Sequence, residues 1–231
     1  MISVTSSIDR KIPGISIRFR FLLVCVFLAS LAVYLPSLRG AAFWDDTDLM
    51  RATPGTATSS LLLAFTKPFA NYYRPLTSAS FAIENALFRG NPFYYHLDNV
   101  ILHALTAVAV AVIAFVLVKS HWAGLLAGLF FAYQPTQVGA TSWIGGRTDT
   151  LSTLFLSLFL ISILQTNSSK SAWWKVAGGL TYFLAILSKE QAILSVACVP
   201  LSVLLFGTRQ KRDAWRLTWP YLLILVVYVL M

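Results

Sequence analysis

The chain has 231 residues, of which 57% are hydrophobic and only 12% are charged, and its net charge is +9. A soluble domain of this length needs far more polar surface, so this composition excludes a soluble enzyme and indicates a polytopic membrane protein. Because helices span lipid without requiring a closed barrel, we predict an all-α integral membrane fold, a bundle of about seven transmembrane helices.

Seven apolar runs are the candidate spans. In chain order they cover residues 19–38, 95–118, 122–133, 151–164, 174–187, 192–206 and 217–231. Residues 1–18 are predicted to form a cytoplasmic tail, and residues 19–231 a single transmembrane module that we expect to be incomplete at its C-terminus. The first run is too long for the core of a signal peptide, so we interpret it as an uncleaved anchor.

The distribution of charge predicts the orientation of these spans. With the N-terminus inside, the inner segments carry Lys119, Lys170, Lys175, Arg209, Lys211, Arg212 and Arg216, as the positive-inside rule requires. Most acids fall outside: Asp45, Asp46, Asp48, Glu84, Asp98, Asp149 and Glu190. We therefore expect a multi-pass protein of a bacterial inner membrane or endoplasmic reticulum membrane, with a cytoplasmic N-terminus. The excess positive charge indicates topology and contact with membrane lipids, and no feature indicates nucleic-acid binding.

A long first outer loop, residues 39–94, begins beside a pair of carboxylates, Asp45 and Asp46. Adjacent carboxylates at the mouth of a span are costly unless they meet water, a cation or a substrate. A carboxylate there can act as a general base for chemistry at the membrane surface. The alternative is a hydrated helix cap with no chemical role. Further along the loop, residues 60–66 and 78–88 are predicted to form short helices that lie in the membrane interface.

Three further polar clusters fall on the same predicted outer face. They are residues 71–76 around Arg74, the series His96, Asn99 and His103, and the pair of segments 145–149 and 188–191 with Arg147, Asp149, Lys189 and Glu190. The guanidinium of Arg74 can fork onto a phosphate. The histidine and asparagine side chains, at positions i, i+3 and i+7, share one helical stripe.

Each cluster also has a purely structural explanation. Arg74 can extend to lipid headgroups, and the stripe can supply hydrogen bonds between helices. Arg147 and Asp149 can form a local ion pair that caps a helix. The segment 188–191 can be a solvated turn. Taken together, however, the clusters predict a charged, aromatic-lined cavity on one side of a membrane.

In their order along the chain, these motifs resemble the N-terminal half of a GT-C glycosyltransferase. The motifs are Trp44-Asp45-Asp46, Tyr73-Arg74-Pro75-Leu76, residues 95–103, Gly146-Arg147-Thr148-Asp149 and Ser188-Lys189-Glu190-Gln191. The branch that they resemble is that of the protein O-mannosyltransferase-like proteins, including transmembrane O-mannosyltransferases that often carry TPR repeats. The resemblance extends over nearly the whole chain from residue 40 onward.

The resemblance implies a donor, an acceptor and a set of roles. The donor is a polyprenyl-phosphate-linked sugar, expected to be a mannose-like hexose, and the acceptor is a protein or glycan hydroxyl on the outer or lumenal face, with inversion at the anomeric carbon. Asp45 or Asp46 takes the acceptor proton, and Arg74, Arg147 and Lys189 stabilise the leaving phosphate. The expected supporting residues are Tyr73, His96, Asn99, His103, Asp149 and Glu190.

One segment departs from the family pattern. Where the family shows His-Pro followed by Glu, residues 134–139 are Gln-Pro-Thr-Gln-Val-Gly. We therefore assign no metal ligands, and a divalent cation stays open as a cofactor. The departure favours an alternative, a non-catalytic module that binds polyprenyl-phosphate lipid or scaffolds a partner. A transporter is disfavoured because the charges cluster at one face and do not run through the bilayer.

Overall fold

The structure, a computed structural model, describes residues 16–51, 57–68, 72–168, 171–206 and 211–231. The helices of this part are α1 Ile17–Tyr34, α2 Asp46–Arg51, α3 Ala57–Thr66, α4 Pro75–Phe88, α5 Pro92–Val118, α6 His121–Tyr133, α7 Val138–Ser142, α8 Arg147–Ser168, α9 Ala172–Ser188, α10 Cys198–Phe206 and α11 Lys211–Leu230. Short 3₁₀ segments cover Leu35–Arg39, Pro135–Gln137, Ile144–Gly146 and Glu190–Ala197. The described residues form no β-strand, which confirms the all-α prediction.

Within the described residues, three helical segments are long and apolar enough to cross a membrane: Ile17–Arg39, Pro92–Val118 and Ile144–Thr166. The protein is therefore a multi-pass membrane protein. The remaining predicted runs also coincide with helical segments, but their apolar stretches are shorter, and the count of seven spans stays a prediction. The predicted run 151–164 was too short, because α8 begins at Arg147. Its first turn is polar and lowers the local hydropathy.

Side-chain caps determine where the long helices begin. The Ser16 hydroxyl accepts a hydrogen bond from the backbone N–H of Phe19 at 3.2 Å, and Asn91 caps α5 in the same way. Ser120 caps α6. Such side-chain acceptors satisfy backbone donors that the first helical turn leaves unpaired. Between α5 and α6, Lys119 takes a left-handed φ of 60°, so the chain reverses within a very short turn.

Small residues allow α1, α5 and α6 to approach closely. Gly124 and Gly128 of α6 face α1 and α5, and both are buried. A Cβ atom at Gly128 would lie 2.9 Å from the Ala111 Cβ, 2.9 Å from the Val26 Cγ1 and 3.0 Å from the Ala107 carbonyl oxygen. Such small-residue interfaces are a common way for helices to pack in lipid, where hydrophobic burial between helices provides little driving force.

Substitution of Gly128 by alanine is expected to destabilise the protein by about 1–3 kcal/mol, since the new methyl group overlaps two side chains and a backbone carbonyl. The same substitution at Gly179 is the matched control, because a Cβ there meets only the Ile224 Cδ1, at 3.4 Å. Thermal unfolding in detergent measures both effects. An equal change in the two variants would show that α1, α5 and α6 are not packed this closely.

An aromatic cluster joins α8, α9 and α11. The rings of Phe159, Tyr182 and Tyr221 pack with centroid separations of 5.1–5.9 Å. The Tyr182 hydroxyl also donates a hydrogen bond to the Ile193 carbonyl at 3.2 Å, which holds the 3₁₀ segment Glu190–Ala197 against α9. This cluster therefore fixes the position of the charged turn at the end of α9.

The two helices predicted in the first outer loop, 60–66 and 78–88, are confirmed as α3 and α4. Helix α4 starts earlier than predicted because Pro75 occupies its first turn, where the missing N–H is not needed. The Thr77 hydroxyl donates to the carbonyl of Ser188 at 3.1 Å. This contact places the start of α4 beside the end of α9.

Candidate active site

A cavity of about 390 Å³ lies at the end of the bundle where α1 ends and α5 and α8 begin. It is lined by Asp45, Leu49, Tyr72, Arg74, Thr77, Ser78, Phe81, Trp143, Gly145, Thr148, Asp149 and Lys189. The predicted site residues that it brings together are Asp45, Arg74, Asp149 and Lys189. Parts of the chain that are distant in sequence therefore supply charged side chains to one cavity.

The two adjacent carboxylates occupy different environments. Asp46 is 0% exposed, and its oxygens accept hydrogen bonds from the backbone N–H groups of Phe43 at 3.0 Å and Gly145 at 3.1 Å. Burial raises the pKa of Asp46, while these hydrogen bonds oppose the rise. Asp45 is exposed and lines the cavity. Asp45 is thus the member of the pair that a substrate can reach, and Asp46 holds the loop against Gly145.

A strained residue precedes this pair. Trp44 has φ of 57°, in the left-handed region that is unfavourable for a bulky side chain. The residue is 83% exposed, and its ring stacks on Trp143 with a centroid separation of 5.7 Å. Strain of this kind persists only where surrounding contacts enforce it. Here the buried carboxylate of Asp46 and the stacked ring hold the turn that presents Asp45 to the cavity.

Arg74 is held by the carboxylate of Glu190, the residue that follows Lys189. Its Nε and Nη2 donate to the two oxygens of Glu190 at 2.8 and 2.7 Å, the bidentate geometry of a strong ion pair. The guanidinium also lies 4.3 Å from the ring centroid of Tyr72. The hydrogen bond from Arg74 lowers the pKa of Glu190, which keeps that carboxylate ionised. Arg74 therefore enters the cavity as an oriented cation.

The second cation of the cavity is Lys189. Its ammonium lies 2.5 Å from an oxygen of Asp149, and the lysine side chain is 17% exposed. Asp149 therefore pairs across helices, from α8 to the end of α9. The structural alternative, a local ion pair between Arg147 and Asp149, does not form, because Arg147 pairs with Glu84 and Asp98 inside the protein.

Arg147 is completely buried, at 0% exposure. Its Nη atoms contact the Glu84 carboxylate at 2.9 and 3.1 Å and Asp98 at 2.8 Å. Nη2 donates to the carbonyl of Tyr95 at 3.0 Å, and Nε donates to the side-chain oxygen of Asn99. All three guanidinium nitrogens are occupied, and the residue does not line the cavity. This placement disfavours the direct contact with a donor phosphate that the family resemblance implied.

The acidic partners of Arg147 were not identified as such from the sequence. Glu84 lies on the same face of α4 as the buried Thr77 and Phe81, at spacings of seven and three residues. That spacing, a carboxylate on an otherwise buried face, is the signal that could have identified it. Burial raises the pKa of Glu84 to about 7, although the charge of Arg147 opposes the rise. No comparable signal marked Asp98.

The stripe of His96, Asn99 and His103 does not reach the cavity. The Asn99 amide donates to the carbonyl of Trp143 at 2.7 Å, and His103 Nε2 lies 3.4 Å from the carbonyl oxygen of Ala132. His96 is buried beside Gly40. Asn99 therefore braces the segment that carries Trp143, and His103 contacts α6, which agrees with the hydrogen bonding between helices that the structural explanation proposed.

Tyr73, which precedes Arg74 in the chain, connects this segment to α3 and α11. Its hydroxyl donates to the Phe65 carbonyl in α3 at 3.1 Å, and its own carbonyl accepts a hydrogen bond from Tyr228 of α11 at 3.4 Å. Asn71, which the sequence placed in the same cluster, lies outside the described residues. Within the described part of the chain, no group of three or more His, Cys, Asp or Glu side chains is placed to hold a metal ion.

The sequence matches a family model described as dolichyl-phosphate-mannose-protein mannosyltransferase over residues 55–231. It is 32% identical over 185 residues to the human protein O-mannosyl-transferase TMTC2, a match that covers 72% of this chain and 22% of that relative. Human protein O-mannosyl-transferase TMTC3 is 34% identical over 137 residues, or 55% of this chain and 14% of the relative. The chain thus spans about a fifth or less of the length of these curated relatives. No solved structure matches it.

Proposed function

Because this chain belongs to the dolichyl-phosphate-mannose-protein mannosyltransferase family, we propose that it forms the part of a membrane glycosyltransferase that binds the sugar donor. The enzyme moves a mannose-like hexose from a polyprenyl-phosphate donor to a hydroxyl of a protein on the outer or lumenal face, with inversion. The observation that carries this proposal is the cavity in which one exposed carboxylate, Asp45, and two cations, Arg74 and Lys189, share a wall.

The bond changes assign a role to each charged group. The acceptor oxygen attacks the anomeric carbon and transfers its proton to the Asp45 carboxylate. The bond from that carbon to the phosphate oxygen breaks, and its electron pair stays on the lipid phosphate. Arg74 and Lys189 stabilise the negative charge as it develops. Since the attacking oxygen and the leaving phosphate lie on opposite sides of the reacting carbon, the sugar is inverted.

Both cations keep hydrogen-bonding capacity for a ligand. An ammonium has three donors and a guanidinium five, and their described carboxylate partners use only part of these. Glu190 and Asp149 thus orient the cations before the donor arrives. Orientation in advance lowers the cost of ordering these long side chains on binding.

Within this proposal, Arg147 and Asp46 are positioning residues. Gly145 donates to Asp46 from the segment just before α8, and Arg147 fixes the start of that helix through α4 and α5. The catalytic carboxylate and Asp149 are therefore held by one short stretch of backbone. Arg147 thus supports the donor site indirectly, through its buried partners, and does not contact the phosphate.

Substitution of Lys189 by methionine is expected to weaken binding of a polyprenyl-phosphate hexose by about tenfold or more, since a charge-assisted hydrogen bond contributes about 1.5–3 kcal/mol. The matched control is Lys67→Met, an exposed lysine outside the cavity lining. Binding of labelled donor to the purified protein measures the change. Equal affinities in both variants would remove Lys189 from the donor site.

The segment 134–139, with glutamine where the family has histidine, favours a second candidate function. In that case the cavity binds the polyprenyl-phosphate lipid without transferring its sugar. Donor binding that depends on Lys189, together with no detectable transfer to any acceptor peptide, would identify this non-catalytic module.

A further inference from the structure

A second cavity lies at the opposite end of the bundle, beside the first turns of α1 and α6. Its volume is about 490 Å³, and it is lined by Ile17, Arg18, Phe21, Leu22, His121 and Trp122. Helix α1 runs from this cavity to the candidate active site, and α6 runs in the same direction. The two cavities are therefore separated by the length of a membrane-spanning helix, and the proposed sugar transfer makes no use of this one.

The lining has one polar side and one apolar side. Arg18 and His121 supply the polar groups, and Ser16 Oγ lies 3.4 Å from His121 Nε2. The His121 ring is fixed by packing against Phe19 and Phe115, with centroid separations of 5.3 and 5.1 Å. The imidazole of His121 is therefore oriented before a ligand arrives, which lowers the cost of ordering it on binding.

The apolar side of the lining faces outward. Ile17 is 84% exposed, Phe21 67% and Trp122 69%, as expected for side chains that contact lipid near the membrane interface. An occupant that fits both sides carries an anionic group and a hydrocarbon chain. No carboxylate occurs in residues 16–25 or 113–125, so the sequence on both sides of the cavity offers only positive or neutral groups.

From this lining we propose that the cavity binds the headgroup of an anionic phospholipid from the leaflet nearest the start of α1. The lipid phosphate contacts Arg18 and His121. One acyl chain runs along Phe21, Leu22 and Trp122 into the bilayer. Anionic lipid then anchors the beginning of α1 to the beginning of α6, independently of any donor at the other end.

The test is native mass spectrometry of the delipidated protein with phosphatidylglycerol and phosphatidylcholine of identical acyl chains. A cationic side chain near a membrane surface contributes about 1 kcal/mol to anionic lipid binding, so Arg18→Gln is expected to lower phosphatidylglycerol affinity about fivefold. His121→Phe, introduced alone, should also lower the phosphatidylglycerol affinity. Its phenyl ring keeps the packing against Phe19 and Phe115. Lys175→Gln, an exposed lysine at the same end of the bundle, should leave the affinity unchanged.

Several results would overturn the proposal. Equal affinity for the two lipids would remove the charge complementarity on which it rests. Equal losses in Arg18→Gln and Lys175→Gln would indicate a diffuse surface effect. Competition by inorganic phosphate would show a site for free anions that does not require a lipid. Thermal unfolding confirms that each variant is folded before its lipid affinity is compared.

Discussion

Replacement of Asp45 by asparagine is expected to reduce sugar transfer by about 10²–10⁴-fold, the usual contribution of a positioned general base. The asparagine side chain matches the shape of the carboxylate but cannot accept the acceptor proton. Because Asp45 is exposed, the fold and the affinity for the lipid donor should stay close to those of the unchanged protein. Transfer of labelled sugar from polyprenyl-phosphate donors, measured beside donor binding, separates the two effects.

Asp46→Asn is the matched comparison, since it makes the same chemical change at the neighbouring residue. Both Asp46 oxygens accept backbone hydrogen bonds, and the amide nitrogen of asparagine cannot accept one. The unpaired N–H should cost about 1–3 kcal/mol of stability. Asp46→Asn should therefore lower the unfolding temperature, whereas Asp45→Asn should not. The opposite result, a stable Asp46→Asn that transfers no sugar and an active Asp45→Asn, would exchange the roles assigned to the two residues.

Substitution of Arg147 by methionine is expected to destabilise the protein by about 3–5 kcal/mol, the range for breaking a buried ion pair by removal of one partner. The buried carboxylate of Glu84 then keeps its desolvation cost without its cation. Asn99 and the Tyr95 carbonyl lose their donor as well. Thermal or denaturant unfolding in detergent measures the loss.

A second change separates this explanation from simple loss of volume. Glu84→Leu in the Arg147→Met background removes one uncompensated charge, so the double variant should be more stable than Arg147→Met alone. Lys175→Met, at an exposed lysine of α9, controls for the loss of a positive charge and should change stability little. A double variant that is less stable than Arg147→Met would contradict the ion-pair explanation.

Much of the fold can be predicted from hydropathy, because a segment that crosses lipid must be apolar and must pair its backbone polar groups internally, as a helix does. The long runs 19–38 and 95–118 correspond closely to α1 and α5. The predicted run at residue 151 begins after the true start of α8 at Arg147, for a physical reason. Arg147 and Asp149 lower the local hydropathy, yet both belong to the first turn of a helix whose cations and carboxylates are paired by other helices.

The sequence predicted which residues line the cavity better than it predicted what each of them does. Charge clusters on one predicted face indicated Asp45, Arg74 and Lys189, and these residues do line one cavity. The sequence could not distinguish the exposed Asp45 from the buried Asp46, since the difference depends on the left-handed backbone of Trp44. Nor could it show that Arg147 faces the interior, because its partners come from α4 and α5.

The five residues from Gly145 to Asp149 fix the distance between Asp45 and Lys189, the base and the cation of the proposed reaction. At one end the Gly145 N–H sets the loop that carries Asp45, and at the other Asp149 sets Lys189. The spacing between base and cation therefore depends on one locally rigid stretch of backbone and very little on how steeply the long helices tilt. Bilayers of different thickness, which change helix tilt, should leave that spacing unaltered.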